Sequence, residues 1–201
     1  MIKNVVFDMG GVLIDFSFPR TLKEFYAPEH HKILNELVFE NPIWREMDGG
    51  FDRAENVIER VVPQLPEETR ELMSQMISDF YPYMPAVEGM AELITRIKNA
   101  GYNVYLLSNA TPRFFDRYLD YPSLALMDGY FISALYKLLK PQAEIYEAFC
   151  NKFNVKAEEC FFIDDMPANI EGAKSYGMSG FVFKKDIKAL ENALKDAGVD
   201  F

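Results

Sequence analysis

Only two cysteines, Cys150 and Cys160, occur in 201 residues, and they form no CxxC pair. A disulfide framework is therefore not expected, and a reducing, cytoplasmic setting fits the chain. Positive charge is also short. The sequence sets 21 Lys and Arg against 31 Asp and Glu, a formal net charge of −10. A general nucleic-acid binder needs a basic face, so that class is set aside. A phosphorylated small substrate stays open, because local cations and a metal reverse the field inside a cleft. No run is long and apolar enough to span a bilayer, and no basic segment precedes the first strand. Neither a membrane helix nor a signal peptide is expected. Low-complexity tracts and internal repeats are missing. The adjacent pair His30-His31 lacks metal-ligand spacing and reads as exposed. What is present is 49% apolar, enough for the core of one medium domain or one domain carrying an insertion.

The chain is organised around residues 3–15. Val5-Val6-Phe7 is a short run of β-branched and aromatic residues, as in a buried strand. Asp8 follows at its carboxyl end, where open α/β sheets bind ligands. Gly10-Gly11 then permits a sharp turn and close approach of the backbone to a ligand. From Phe16 to Pro85 the spacing turns helical, with no convincing strand. Pro28 opens one helix bearing Ile33, Leu34, Leu37 and Val38. Asp52 is the expected N-cap of a second, with Val57, Ile58, Val61 and Val62. Pro66 opens a third, striped by Leu72, Met73, Met76, Ile77 and Phe80; these stripes read as helix–helix core.

Beyond Val87 helices and strands alternate. Helix 88–100 stops at Gly101, strand 103–107 leads to Ser108-Asn109, and strand 130–133 precedes a helix opened by Pro141. Strand 160–163 ends in Asp164-Asp165, and a helix from Pro167 stops at Gly177. Strand 180–183 and helix 187–197 complete the chain. Alternation of this kind predicts a parallel sheet with right-handed crossovers.

Asp8, Ser108-Asn109, Lys140 and Asp164-Asp165 all fall at strand ends or helix starts on one predicted edge. Singly, each reads as a turn, a cap or a surface cation. Together they describe a site. Three crowded carboxylates repel unless a cation sits among them, and hard oxygen ligands suit Mg²⁺ held with waters and a substrate phosphate. A lysine and a hydroxyl beside that ion suit the remaining phosphate oxygens. Phosphoryl transfer needs mostly such positioning and charge neutralisation, with Asp8 as the in-line nucleophile.

These residues resemble the haloacid dehalogenase superfamily of hydrolases. Its four motifs match Phe7-Asp8-Met9-Gly10-Gly11-Val12, Leu106-Leu107-Ser108-Asn109, Lys140-Pro141 and Phe162-Ile163-Asp164-Asp165, in order and at wide spacing. The resemblance implies a Rossmann-like three-layer α/β sandwich over residues 1–15 and 86–201, with residues 16–85 as an inserted all-helical cap of the C1 type. It implies Asp8 as nucleophile and metal ligand, with the Gly10 carbonyl, Asp165 and Asp164 completing the Mg²⁺ site. Ser108, Asn109 and the Gly10-Gly11 turn would hold phosphate, and Lys140 would steady the nucleophile. Within the superfamily (subfamily IA), the motifs are most similar to the bacterial glucose-1-phosphate phosphatase branch. A sugar phosphate or similar small phosphorylated metabolite is the expected substrate, and a monomer or weak dimer the expected state.

One position departs from the family pattern. The usual general acid, an Asp two residues after the nucleophile, is Gly10 here, and losing such a group costs ~10²–10⁴-fold in rate. Three readings stay open: a leaving oxygen that needs little protonation, as in a sugar 1-phosphate; replacement by Glu46 or Asp48; or phosphate-ligand binding without turnover. Displacement of halide from a 2-haloacid uses the same nucleophile without metal, and Asp164-Asp165 argues against it. In the insert, Tyr26, Trp44, Arg45, Glu46 and Asp48 are the residues to watch. Trp44 reads as core or as a stacking platform, and Asp48-Gly49-Gly50 as a turn reaching toward the substrate.

Overall fold

The computed structural model describes residues 1–201. Five strands, β1 (Asn4–Phe7), β2 (Asn103–Ser108), β3 (Gly129–Ile132), β4 (Cys160–Asp164) and β5 (Ser179–Val182), form one sheet in the order β3-β2-β1-β4-β5. All neighbours are parallel. Phe7 pairs with Leu106 on one side and Ile163 on the other. One step further along the strands, Asp8, Leu107 and Asp164 therefore lie level at the carboxyl edge.

Eleven α-helical segments accompany the sheet: α1 (Phe18–Phe25), α2 (His31–Leu34), α3 (Ile43–Asp48), α4 (Ala54–Val61), α5 (Glu67–Ser78), α6 (Met90–Asn99), α7 (Phe114–Arg117), α8 (Pro122–Ala125), α9 (Ala143–Phe153), α10 (Pro167–Tyr176) and α11 (Ile187–Asp196). Side chains alternate across the sheet. Val5, Phe7, Leu106 and Ile163 join a cluster with Leu93 and Ile97 of α6 and Leu190 and Leu194 of α11. Val6, Leu107, Phe131 and Phe162 join Ile145 and Phe149 of α9 and Ile170 of α10. Both faces are covered, which is why the strands are continuously apolar. The fold is the expected three-layer α/β sandwich.

Every named element between β1 and β2 is a helix. The local details differ from expectation at four points. Helix α1 has its own start, with Pro19 in the first turn and Ser17 Oγ accepting from Arg20 N at 3.4 Å. The helix opened by Pro28 is interrupted by a π-helical stretch, Asn35–Phe39. Asp52 does not cap α4, whose cap position is Arg53; its Oδ1 accepts from Arg53 N at 2.8 Å and Asn56 Nδ2 at 2.9 Å. Pro141 sits two residues before α9, which starts at Ala143 behind Gln142.

The chain enters and leaves this helical region through two adjoining segments. Asp15 N donates to Pro85 O at 2.7 Å and Val87 N to Leu13 O at 3.0 Å, with Ile14 and Ala86 bridged antiparallel. Arg20 Nη2 donates to both Asp15 O (3.0 Å) and Tyr83 O (2.9 Å), clamping the pair.

Candidate active site

Asp8 emerges from β1 with its N–H held by Ile163 O at 2.8 Å. Its carboxyl oxygen Oδ1 lies 2.8 Å from Lys140 Nζ, close enough for an ion pair but without an aligned hydrogen bond. The same ammonium donates to Asp164 Oδ2 at 2.6 Å. Lys140 is 4% exposed, Asp8 7% and Asp164 0%. A buried triad of one cation between two carboxylates demands this close geometry, since each charge left alone would be costly. Asn109 fixes the lysine from behind: its Oδ1 accepts from Lys140 N at 2.9 Å and its Nδ2 donates to Lys140 O at 3.3 Å.

The Asp164-Asp165 doublet divides its work. Asp164 Oδ1 accepts from Met166 N (2.8 Å) and Asn169 Nδ2 (2.9 Å), while Oδ2 takes Lys140. Its oxygens are spoken for, and it sits behind the cavity wall. Asp165 lines the cavity and turns over Gly11. A Cβ on Gly11 would stand 2.5 Å from Asp165 Oδ2, and the residue holds φ +73°, so only glycine suits the position. Gly11 N donates to Ile14 O at 2.8 Å. That donor closes the turn, and of the Gly10-Gly11 pair expected to hold phosphate it is Gly10 that lines the cavity. A Cβ on Gly10 would meet Phe16 Cβ at an ordinary 3.5 Å.

A cavity of about 280 Å³ opens above these groups. Its floor carries Asp8, Gly10, Ser108, Asn109, Lys140 and Asp165, all expected from sequence. Its roof comes from the helical region. Asp48, at the end of α3, faces into it, with no protein partner for its carboxyl group. The Asp48 carbonyl accepts from Ser133 Oγ, which also receives Ala110 N at 2.9 Å. That buried serine ties the roof to the sheet. Glu46 is exposed and lies 3.5 Å from Arg60 instead. Of the two acids considered for proton transfer, only Asp48 reaches the cavity.

Trp44 lines the roof and is also packed against Phe18, Phe39 and Phe80. The core reading is what the packing shows, and the indole also borders the cavity. Arg45 is exposed. Tyr26 is core, its hydroxyl on Met76 Sδ at 3.4 Å. His30 and His31 are each tied down rather than freely exposed, to Glu68 at 3.2 Å and to Tyr26 O at 2.9 Å. Cys150 and Cys160 are buried free thiols, and no helix is long and apolar enough to cross a membrane. Asn169, Ser133, Thr111 and Arg113 were not anticipated. Asn169 had a readable signal, five residues past Asp164 in the first turn of α10; Ser133 had none, being an ordinary serine after β3.

Electrostatics set the protonation. Burial pushes the Asp8 carboxyl up to about 7, opposed by Lys140 and reinforced by Asp164 and Asp165. Burial likewise raises Asp165, with Asp164 adding to it. Burial works against the charge on Lys140, but Asp164 and Asp8 outweigh it and hold the ammonium above its ordinary value. Asp48 is pushed up to about 8 by burial and by the Asp8 charge. Oxygens of Asp8, Asp164 and Asp165 lie within 4.8 Å of one another, and Asp165 has no competing partner. Hard carboxylate oxygens on Asp8 and Asp165, which line the cavity, fit Mg²⁺.

Comparison with known proteins agrees with this geometry. The chain is 26% identical over 179 residues to a sesquiterpene phosphatase of Aspergillus oryzae, covering 89% of this chain and 88% of that one. It is 25% identical over 194 residues to a D-ribitol-5-phosphate phosphatase of Bacteroides thetaiotaomicron, covering 90% and 91%. A solved haloacid dehalogenase-family enzyme from Bacteroides thetaiotaomicron, in complex with magnesium and inorganic phosphate, superposes with a TM-score of 0.69 at 21% identity, covering 94% of this chain and 99% of that one. The sequence model for haloacid dehalogenase-like hydrolases matches residues 2–177, and with the motif residues assembled at one sheet edge, the chain belongs to that family.

Proposed function

We propose that the protein is a Mg²⁺-dependent phosphomonoester hydrolase that works through an aspartyl-phosphate on Asp8. The single observation that carries this reading is Lys140 held between Asp8 and Asp164, with Asp165 left free beside them. Asp165, Asp8 and the Gly10 carbonyl would hold the metal, with Asp164 acting mainly as the anchor of Lys140. When bound, the ion neutralises phosphoryl charge and keeps Asp8 ionised. The free carboxylate of Asp165 weighs against metal-independent halide displacement. Residues 16–85 act in this reading as the cap, of the C1 type, and residues 1–15 and 86–201 as the catalytic unit. The protein is an enzyme of small phosphorylated metabolites, as the named functions of both phosphatase relatives support.

Asp8 attacks phosphorus in line, and the ester P–O bond breaks as the acyl-phosphate bond forms. The leaving alkoxide needs a proton that Gly10 has no means to give. We assign that proton to Asp48. It projects from the roof into the cavity that holds Asp8, and Asp8, Lys140 and Tyr81 are the titratable groups that face it. Water then attacks the same phosphorus, its proton passes to the Asp48 carboxylate, and phosphate leaves Asp8. Lys140 stays charged throughout, and Ser108 would hold a phosphoryl oxygen. The sugar 1-phosphate expectation, drawn from Gly10 and the glucose-1-phosphate phosphatase branch, loses its necessity once Asp48 supplies the proton. The test is phosphate release from aryl and alkyl phosphates with Mg²⁺ and with chelator, beside Asp8→Asn. Release that persists in chelator or in the variant overturns the reading.

A further inference from the structure

The two halves of the cavity offer different chemistry. The floor is polar, and its groups are those that would hold a phosphoryl group and its metal. The roof is aromatic and thioether-rich. Ring centroids of Phe16 and Phe80 lie 5.3 Å apart and those of Trp44 and Phe80 5.4 Å, in tilted and edge-on pairs. Phe18 and Phe39 back this cluster from the helical side. Rings braced in this way form a stiff apolar wall that loses little entropy on contact.

The roof's polar inventory is small. Tyr81 directs its hydroxyl to Met9 Sδ at 3.8 Å. Trp44 Nε1 is buried without a partner; it is a donor only. Asp48 and Ser78 complete the set from the helical region, and Thr111 and Arg113 border the cavity from the loop after β2. A polyol seated there brings several hydroxyls to a wall of ring faces, each stranded hydroxyl costing binding. A hydrocarbon meets no such penalty and gains burial.

Resting on the phosphatase reading above, we propose that the alcohol half of the substrate is apolar. The ester is the phosphate of an aromatic or branched-aliphatic alcohol, seated against Phe16, Trp44, Met47, Phe80, Tyr81 and Met84. The cavity's 280 Å³ sets the scale. At ~30 Å³ per water it holds roughly nine waters, and the phosphoryl group shares that space, so the ester as a whole has on the order of ten non-hydrogen atoms.

Leaving-group reactivity must not masquerade as recognition, so the comparison uses esters of primary alcohols: citronellyl phosphate, glucose 6-phosphate and ribitol 5-phosphate. The expected kcat/KM ratio favours citronellyl phosphate by about 10²-fold over either polyol ester. Phe16→Gln is expected to narrow that ratio about tenfold, and Phe16→Tyr, which keeps the ring and adds one hydroxyl, to narrow it in the same direction if the first variant unfolds. Trp44 is the only tryptophan in the chain, so its fluorescence reads binding without turnover; citronellyl phosphate is expected to shift it in Asp8→Asn. Equal or greater kcat/KM for a polyol phosphate overturns the apolar proposal and leaves the hydrolase reading standing. A saturable Trp44 response to citronellyl phosphate, with no turnover of any ester by the unaltered protein, upholds the apolar site and overturns the hydrolase reading. No response and no turnover with citronellyl phosphate, while a polyol ester is hydrolysed, overturns the proposal alone.

Discussion

The floor and the roof of one cavity are built on opposite logics. Below, charged groups have appointed places: Lys140 between Asp8 and Asp164, Asn109 gripping the lysine backbone, Asn169 holding Asp164, and Asp165 left free toward the cavity. Above, Phe16, Trp44, Phe80 and Met84 share a surface in which no single contact dominates. Reaction chemistry requires particular atoms at particular points, whereas recognition of an apolar group requires area and shape. Damage to the floor should therefore be near-absolute, and damage to the roof graded.

The largest expected effect is at Asp8. Asp8→Asn removes the nucleophile while keeping its shape, and single-turnover assays should record a loss of at least about 10³-fold in kcat. Asp48→Asn sharpens the comparison, because it is a floor-type function carried by the roof. Loss of about 10²–10⁴-fold is expected for alkyl phosphates, but far less for p-nitrophenyl phosphate, whose leaving group needs no proton. Equal losses with both esters would make Asp48 a positioning residue. Gly11→Ala comes next. Its methyl group would press on Asp165 at φ +73°, and urea melts should show a cost of about 1–3 kcal/mol with a higher Mg²⁺ half-saturation.

The smallest effect is thermal. Asp48 is carried from 3.8 to about 8 on folding, so the folded state holds the proton more tightly than the unfolded chain. The stability it contributes is whole below pH 3.8 and is lost as pH rises through about 8. Melting temperatures of the metal-free protein at pH 5 and pH 9 should therefore fall less in Asp48→Asn than in the unaltered chain. A steeper fall in the variant would reverse that sign.

Most of the floor was legible because each motif residue is a rare type at a forced position. Asp after a buried strand, a doublet after another, and a lysine before Pro141 have few other reasons to coincide. The division of labour within Asp164-Asp165 was not legible. Successive residues of a strand point to opposite faces, so which aspartate faced the cavity depended on register with β1 and on the room that Gly11 leaves. Glu46 and Asp48 were indistinguishable by type, and the turn of α3 separated them. In the roof the helices could be read but the wall could not. Ile77 and Phe80 belong to the helix stripe read as core, and they also face the cavity; hydropathy gives one value to both duties.

The adjoining segments at 13–16 and 84–87 have a consequence beyond this molecule. Because the chain leaves and rejoins the sheet at hydrogen-bonded neighbours, the covalent connection of the helical region to the sheet is a single double-threaded stalk. Its two leads are already side by side, so the insert can be lengthened, swapped or shortened without rethreading a strand. Recombination between relatives can thus exchange what is recognised, and with it the proton donor at Asp48, while Asp8, Lys140 and Asp165 are inherited untouched.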